Sequence, residues 1–212
     1  MNKLLIGIIA LVALALGALM FQKWQLNQQP EFALYYQQPR EIQPFILQDH
    51  QGNNFTNQQL IDKWTLVFFG YTSCPDVCPT TMQTLNFIYD DLKKTSANSA
   101  QILLVSVDPL RDSQDKLNQY ISYFNNEFIA LRANHGVLFP FARNLGLMYA
   151  IVTDNDDPTK ENYLVDHSAS IVLINPQGKI SAIFKPEIAV GQVPSINGDK
   201  LASDFEKIVA LY

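Results

Sequence analysis

The stretch Trp64–Met82, WTLVFFGYTSCPDVCPTTM, decides how the rest of the chain is interpreted. It begins with an uninterrupted apolar run at residues 66–69, which is typical of a strand buried on both faces. A turn follows that carries the two cysteines of the chain, Cys74 and Cys78. Pro79 then stands near the first position of a predicted helix, where proline is well tolerated. The apolar face of that helix consists of Met82, Leu85, Ile88, Tyr89 and Leu92, at spacings of three and four residues.

The two cysteines are too close in sequence for an ordinary structural disulfide, because the stability that a disulfide adds by restricting the unfolded chain is smaller for a shorter loop. In the first turn of a helix, Cys74 and Cys78 would lie on one face. The N–H groups there favour thiolate over thiol. Such a pair can form a redox-active disulfide, or both thiolates can hold one metal ion. The spacing leaves both possibilities open.

The supply of other ligands narrows the choice of metal. A site rich in thiolate selects copper(I), zinc or an iron–sulfur cluster. Structural zinc and iron–sulfur sites usually take four protein ligands, whereas this chain has two cysteines and three histidines. Two thiolates and one imidazole fit a three-coordinate copper site well.

The pattern downstream predicts which histidine completes the site. We expect a strand at 102–107, a helix from Asp112, a short strand at 128–131 and a helix at 139–149. A hairpin at 168–184 and a helix at 197–212 follow. This order is the plan of a thioredoxin-like three-layer α/β fold with a mixed sheet. In that fold the loop before the hairpin faces the cysteine turn and normally presents a cis-proline. Here it presents His167, with Asp166 or a backbone carbonyl as its orienting partner.

The other residues that could bind a metal or take part in chemistry have simpler structural explanations. His50 and His135 lie in predicted turns, and Met82 falls on an apolar stripe. Asp76 either sets the geometry of the cysteine turn or is a solvated turn residue, and Asp108 and Asp112 are expected to cap a helix. The acidic segment 153–161 is predicted to be a surface loop.

Composition and the N-terminal sequence suggest the partners and the localisation of the protein. A net charge of −5 and a pI near 5.1 argue against nucleic acid as a partner. Residues 4–21 carry no charge and follow Lys3, which predicts a single membrane-spanning helix with a cytoplasmic N-terminus. A cleaved signal peptide is the alternative. The expected division is an anchor at 1–23, a linker at 24–40 and one domain at 41–212 on the periplasmic or extracytoplasmic side of the inner membrane.

Three motifs in order, LVFFGYTSCPDVCPTTM, VSVDPLRDS and VDHSAS, resemble the Sco/SenC family over roughly residues 43–211. These are membrane-anchored, thioredoxin-like copper proteins that help assemble the copper centres of cytochrome c oxidase. By that resemblance, the metal-binding residues are Cys74, Cys78 and His167. One departure is Ser73, where many members carry histidine. The resemblance implies a copper chaperone that delivers copper to the copper-bearing oxidase subunit or another copper protein, with a thiol-reductase role towards the recipient as a second implication.

Two competing functions use the same cysteines. The main alternative is a membrane-tethered thiol–disulfide oxidoreductase that acts on the cysteines of a partner protein. A peroxidase that works through one low-pKa cysteine ranks last.

Overall fold

The structure is a computed structural model that describes residues 3–27, 29–97, 99–152, 163–189, 191 and 193–212. Its helices are α1 (Lys3–Asn27), α2 (Val77–Thr95), α3 (Gln114–Phe124), α4 (His135–Leu145) and α5 (Gly198–Leu211). Its strands are β1 (Ala33–Arg40), β2 (Ile46–Asp49), β3 (Asn54–Thr56), β4 (Trp64–Gly70), β5 (Ala100–Ser106), β6 (Ile129–Arg132), β7 (Tyr149–Val152), β8 (Leu164–His167), β9 (Ile171–Ile174) and β10 (Ile180–Phe184).

The described strands form one large mixed sheet and one small separate sheet. The large sheet has eight strands in the order β1-β10-β9-β4-β5-β6-β2-β3. Strands β4, β5 and β6 are parallel, and the other neighbours are antiparallel. Strands β7 and β8 pair only with each other within the described part of the chain. The predicted mixed α/β fold, with a parallel start and an antiparallel hairpin, is confirmed.

The centre of the sheet is apolar because helices cover both of its faces. Every residue of β4 and β5 is buried. Trp64 packs edge-on against Phe205 of α5, whereas Phe69 packs against Phe141 of α4. Since side chains alternate along a strand, these two residues of β4 point to opposite faces. Helix α2 buries the face that its sequence predicts and lies against α5.

Two predicted helix boundaries need correction. The helix expected at 139–149 is α4, which begins after Asn134, whose side chain accepts a hydrogen bond from the Val137 N–H. It ends at Gly146, which has a φ of +82° and closes the helix in the left-handed conformation that glycine adopts at little cost. Residues 149–152 therefore belong to β7. Helix α3 is capped by Ser113 and not by Asp112, which leaves that carboxylate for another role.

Part of the predicted linker is a strand of the sheet. β1, at Ala33–Arg40, pairs with β10 at one edge. The fully buried carboxylate of Asp204 on α5 accepts hydrogen bonds from the backbone N–H groups of Glu31, Phe32 and Ala33, at 2.6–3.0 Å. A weakly periodic sequence thus forms an edge strand through its pairing with β10, and a distant carboxylate holds the start of that strand.

The predicted membrane anchor at residues 1–23 needs correction. Within the described residues, no helix combines the length and the apolar character needed to cross a membrane. This finding contradicts the expected single-pass, inner-membrane localisation.

Candidate metal centre

The cysteine loop, residues 71–76, joins β4 to α2 at the carboxyl end of the parallel strands. Cys74 lies in this loop and is half-buried, whereas Cys78 lies in the first turn of α2 and is fully buried. Both thiols are free. Gly70 makes room for the buried sulfur, because a β-carbon at that position would lie 3.0 Å from the Cys78 Sγ and 2.9 Å from the ring of Phe68. Any larger residue would displace one of them.

The buried carboxylate of Asp112 anchors the cysteine loop through hydrogen bonds. It accepts hydrogen bonds from the Thr72 hydroxyl at 2.6 Å, from the Thr72 N–H at 3.2 Å and from the Ser106 hydroxyl at 2.6 Å. Burial raises the pKa of Asp112, and its hydrogen bonds to Ser106 and Thr72 oppose that rise. The sequence pattern suggested only a helix cap for this residue. Its bracing role depends on a contact 40 residues away, which local spacing does not reveal.

His167 is the last residue of β8, in the hairpin formed by β7 and β8 (the histidine hairpin). Its ring packs edge-on against Phe68, with centroids 5.9 Å apart, and against Tyr71, with centroids 5.8 Å apart. Its Nδ1 lies 3.4 Å from the carbonyl oxygen of Ser168. The orienting contact is thus to a backbone carbonyl, and the Nε2 is turned towards the sulfurs.

The structure brings the three predicted ligands together. The Sγ atoms of Cys74 and Cys78 and a ring nitrogen of His167 all lie within 4.8 Å of one another. The Cys78 Sγ is 3.3 Å from the His167 Nε2, across 89 residues of sequence. The Cys78 N–H donates to the Cys74 Sγ at 3.4 Å. The two cysteine sulfurs and the imidazole nitrogen therefore form one compact cluster.

The two thiols have opposite acidities. A hydrogen bond from Cys78 is the main reason that the pKa of Cys74 falls to about 4, with further hydrogen bonds from His167 and the backbone. Burial, together with the hydrogen bond and the negative charge of Cys74, raises the pKa of the Cys78 thiol. Without a metal, the cluster thus holds one thiolate, at the more exposed sulfur.

The cluster has the donor set and the spacing of a soft-metal site. Two sulfurs and one imidazole suit copper(I) or zinc better than a hard cation such as magnesium. Metal–sulfur and metal–nitrogen bonds of about 2.0–2.3 Å span a cluster of this size with small side-chain shifts. A bound cation would also stabilise a second thiolate and so oppose the burial and the negative charge that raise the Cys78 pKa.

The other candidates have structural roles among the described residues. His50 is buried, and its Nδ1 accepts a hydrogen bond from the Ala130 N–H at 3.2 Å. The Nδ1 of His135 lies 2.9 Å from the Tyr149 hydroxyl. Met82 is fully buried in the core. Asp76 precedes α2 without a side-chain cap. The acidic segment predicted at 153–161 lies outside the described residues.

Comparisons with known proteins agree on one family. A sequence profile described as SCO1/SenC matches residues 35–195. The SCO2-like protein of Rickettsia prowazekii is 33% identical over 164 residues, which cover 77% of this chain and 78% of that protein. The copper-bound structure of Arabidopsis thaliana ScoI aligns with a TM-score of 0.68 at 28% identity and covers 80% of this chain and 98% of that one. Copper-bound yeast Sco1 aligns with a TM-score of 0.62 at 29% identity and covers 69% and 80%. The chain therefore belongs to the SCO1/SenC family.

Proposed function

We propose that the chain binds copper through Cys74, Cys78 and His167 and passes it on during assembly of the copper centre of cytochrome c oxidase. The observation that carries this proposal is the convergence of two sulfurs and an imidazole nitrogen within 4.8 Å. Support comes from relatives whose structures contain copper. The oxidase as recipient rests on the family resemblance of the three motifs.

The unequal burial of the ligands suits a site that holds copper and then releases it. Cys78 is fully buried and serves as the anchoring ligand, whereas Cys74 and His167 are half-exposed. An incoming thiolate or imidazole from a recipient can approach from that exposed side. It forms a bond to copper while the bond to His167 or Cys74 breaks, and the oxidation state of the metal does not change. Copper is thus the cargo, and the protein supplies binding and orientation.

Metal analysis of the full-length chain, reduced and purified without oxygen, tests the binding. We expect about one copper per chain in the wild type, loss of copper in Cys78→Ser, and sharply weaker binding in His167→Ala. His50→Gln is the matched control, because that histidine is bonded to Ala130 of β6 and lies outside the cluster, and it should bind copper as the wild type does. Tight and unchanged binding in His167→Ala would contradict the three-ligand site.

A thiol–disulfide oxidoreductase is the second candidate, favoured by one observation. The lowered pKa of the half-exposed Cys74 beside the buried Cys78 is the arrangement of an attacking and a resolving cysteine. An oxidoreductase would reduce disulfide substrates in a way that needs both cysteines but barely depends on His167. Comparing His167→Ala with Cys78→Ser in a disulfide-reduction assay separates the two functions.

A further inference from the structure

The position of the histidine hairpin needs an explanation, because β7 and β8 form a sheet of their own. In the described part of the chain, neither strand joins the ladder of the eight-stranded sheet. The backbone ties His167 to the large sheet only at one end, through residues 168–170, which lead into β9, where Ile171 pairs with Phe68 of β4. The rest of the hairpin is connected to the main framework by side chains.

One such connection is the Arg111 cluster, which consists of Asp108, Arg111 and Tyr163. The Arg111 guanidinium stacks on the Tyr163 ring, 3.7 Å from its centroid, and donates to the Tyr163 carbonyl oxygen at 2.9 Å. The Asp108 carboxylate accepts hydrogen bonds from both the Arg111 Nε and the Tyr163 hydroxyl. The side chain of Asp108 is 1% exposed. The connection between β5 and α3 thus holds the residue immediately before β8.

The same guanidinium also faces the cysteine loop. Its central carbon lies 5.6 Å from the ring centroid of Tyr71, and that ring packs edge-on against His167. Arg111 therefore contacts both halves of the metal centre through tyrosine rings. Arginine suits this place because its planar group can lie flat on an aromatic ring while the N–H groups at its edge donate hydrogen bonds, and the compact ammonium of lysine has no such plane.

The geometry points to Arg111 as a positioning residue that, with Asp108 and Tyr163, holds the histidine hairpin against the cysteine loop and so places His167 beside the two sulfurs. The tests of this inference that measure copper affinity rest on the proposed function. The contact between the hairpin and the cysteine loop is also present in the metal-free chain, and a separate measurement tests it.

A double-mutant comparison tests whether Arg111 acts through His167. We expect Arg111→Gln to weaken copper binding about tenfold, as replacement of a group that orients a metal ligand commonly does. The same substitution made in His167→Ala should change the affinity at most about twofold, since the ligand that it positions is gone. An equal loss in both backgrounds, or no loss in the wild-type background, would overturn the inference.

A second variant covers the case in which Arg111→Gln does not fold, because it leaves the buried Asp108 charge without its partner. The double variant Asp108→Asn/Arg111→Gln removes both charges, and we expect about the same tenfold loss of copper affinity. Wild-type affinity in this variant would overturn the inference.

Lys93→Met is the matched control for these variants. Lys93, in the last turn of α2, also combines a tyrosine ring with a carboxylate: it lies 4.6 Å from the Tyr89 ring centroid and 2.9 Å from the more exposed carboxylate of Glu127. It should leave copper affinity unchanged. A tenfold loss in this variant would mean that removing any such pair weakens the site, and the inference would be overturned.

Hydrogen exchange of the metal-free, reduced, full-length chain separates this inference from the proposed function. In Arg111→Gln, the backbone amides of Val165–His167 should exchange about tenfold faster relative to those of β9, as expected for the loss of one charge-assisted hydrogen bond. Unchanged exchange would overturn the inference even if copper binds. Faster exchange in a chain that binds no copper would support it while the proposed function fails.

Discussion

The cysteine loop and the histidine hairpin contribute to the same site but are held in different ways. The cysteine loop continues from β4, a fully buried central strand paired on both sides, into the first turn of α2. The histidine hairpin is a two-stranded sheet attached through side chains, chiefly Arg111 on Tyr163 and Phe139 on Tyr149. Two of the proposed ligands therefore lie next to the central strand of the large sheet, and the third lies on an element with its own attachments.

This difference suits the proposed function, in which the site holds a metal and then releases it. Local stability varies across a structure, and elements with few ladder hydrogen bonds open at a lower free-energy cost than central strands. We therefore expect the hairpin to open at a lower free-energy cost than β4 and the cysteine loop that continues from it. Three predictions test this contrast.

The largest expected effect is the difference in reactivity between the two cysteines at low pH. A thiolate is the nucleophile, and the pKa of Cys74 near 4 means that its thiolate persists above that pH and is lost as the pH falls through it. At pH 5.5 an ordinary thiol is only about one-thousandth thiolate. We expect iodoacetamide to modify Cys74 of the reduced full-length chain at that pH while Cys78 stays unmodified. Mass spectrometry of the alkylated peptides measures both rates.

Two results would contradict this contrast between the sulfurs. One is a Cys74 modification rate that rises with a midpoint near pH 8.5, the value of an ordinary thiol. The other is equal modification of both cysteines in the native chain, which would place Cys78 at the surface.

The next effect concerns the hydrogen bonds of Asp112 to the cysteine loop. Asp112→Ala removes the acceptor of the Thr72 and Ser106 hydrogen bonds, so the free energy of unfolding should fall by roughly 3 kcal/mol. Urea denaturation measures that change. Ser113→Ala, which removes only the cap of α3, should cost about 1 kcal/mol. Equal losses in the two variants would mean that Asp112 does no more than a cap does.

The smallest effect concerns the other attachment of the hairpin. Tyr149→Phe removes the hydrogen bond to His135 but keeps the ring stacked on Phe139, where the centroids are 4.5 Å apart. The free energy of unfolding should fall by about 1 kcal/mol or less. Copper affinity should change less than in Arg111→Gln. A tenfold loss of affinity would show that α4, and not the Arg111 cluster, positions His167.

Local patterns predicted the two elements that flank the cysteine loop, because β4 is an unbroken apolar run and α2 repeats apolar residues every three or four positions. The apolar run of β4 and the buried face of α2 appear where the sequence places them. The prediction failed at β7, because the apolar residues there follow α4 closely and continue its spacing. Gly146 ends the helix before them, and the exposed side chain of Met148 follows. It also failed at β1, which depends on the distant carboxylate of Asp204.

The sequence by itself determined the chemistry of this protein: two cysteines in the first turn after a buried strand, and a histidine where a related fold presents proline. Residue type and local spacing are enough for that, since they depend on neighbours along the chain. Only the tertiary structure decided which sulfur is buried, how Asp112 braces the loop and how Arg111 holds the hairpin. Those features arise from contacts between segments far apart in the chain, and burial there sets both the acidity of the thiols and the strength of the hydrogen bonds.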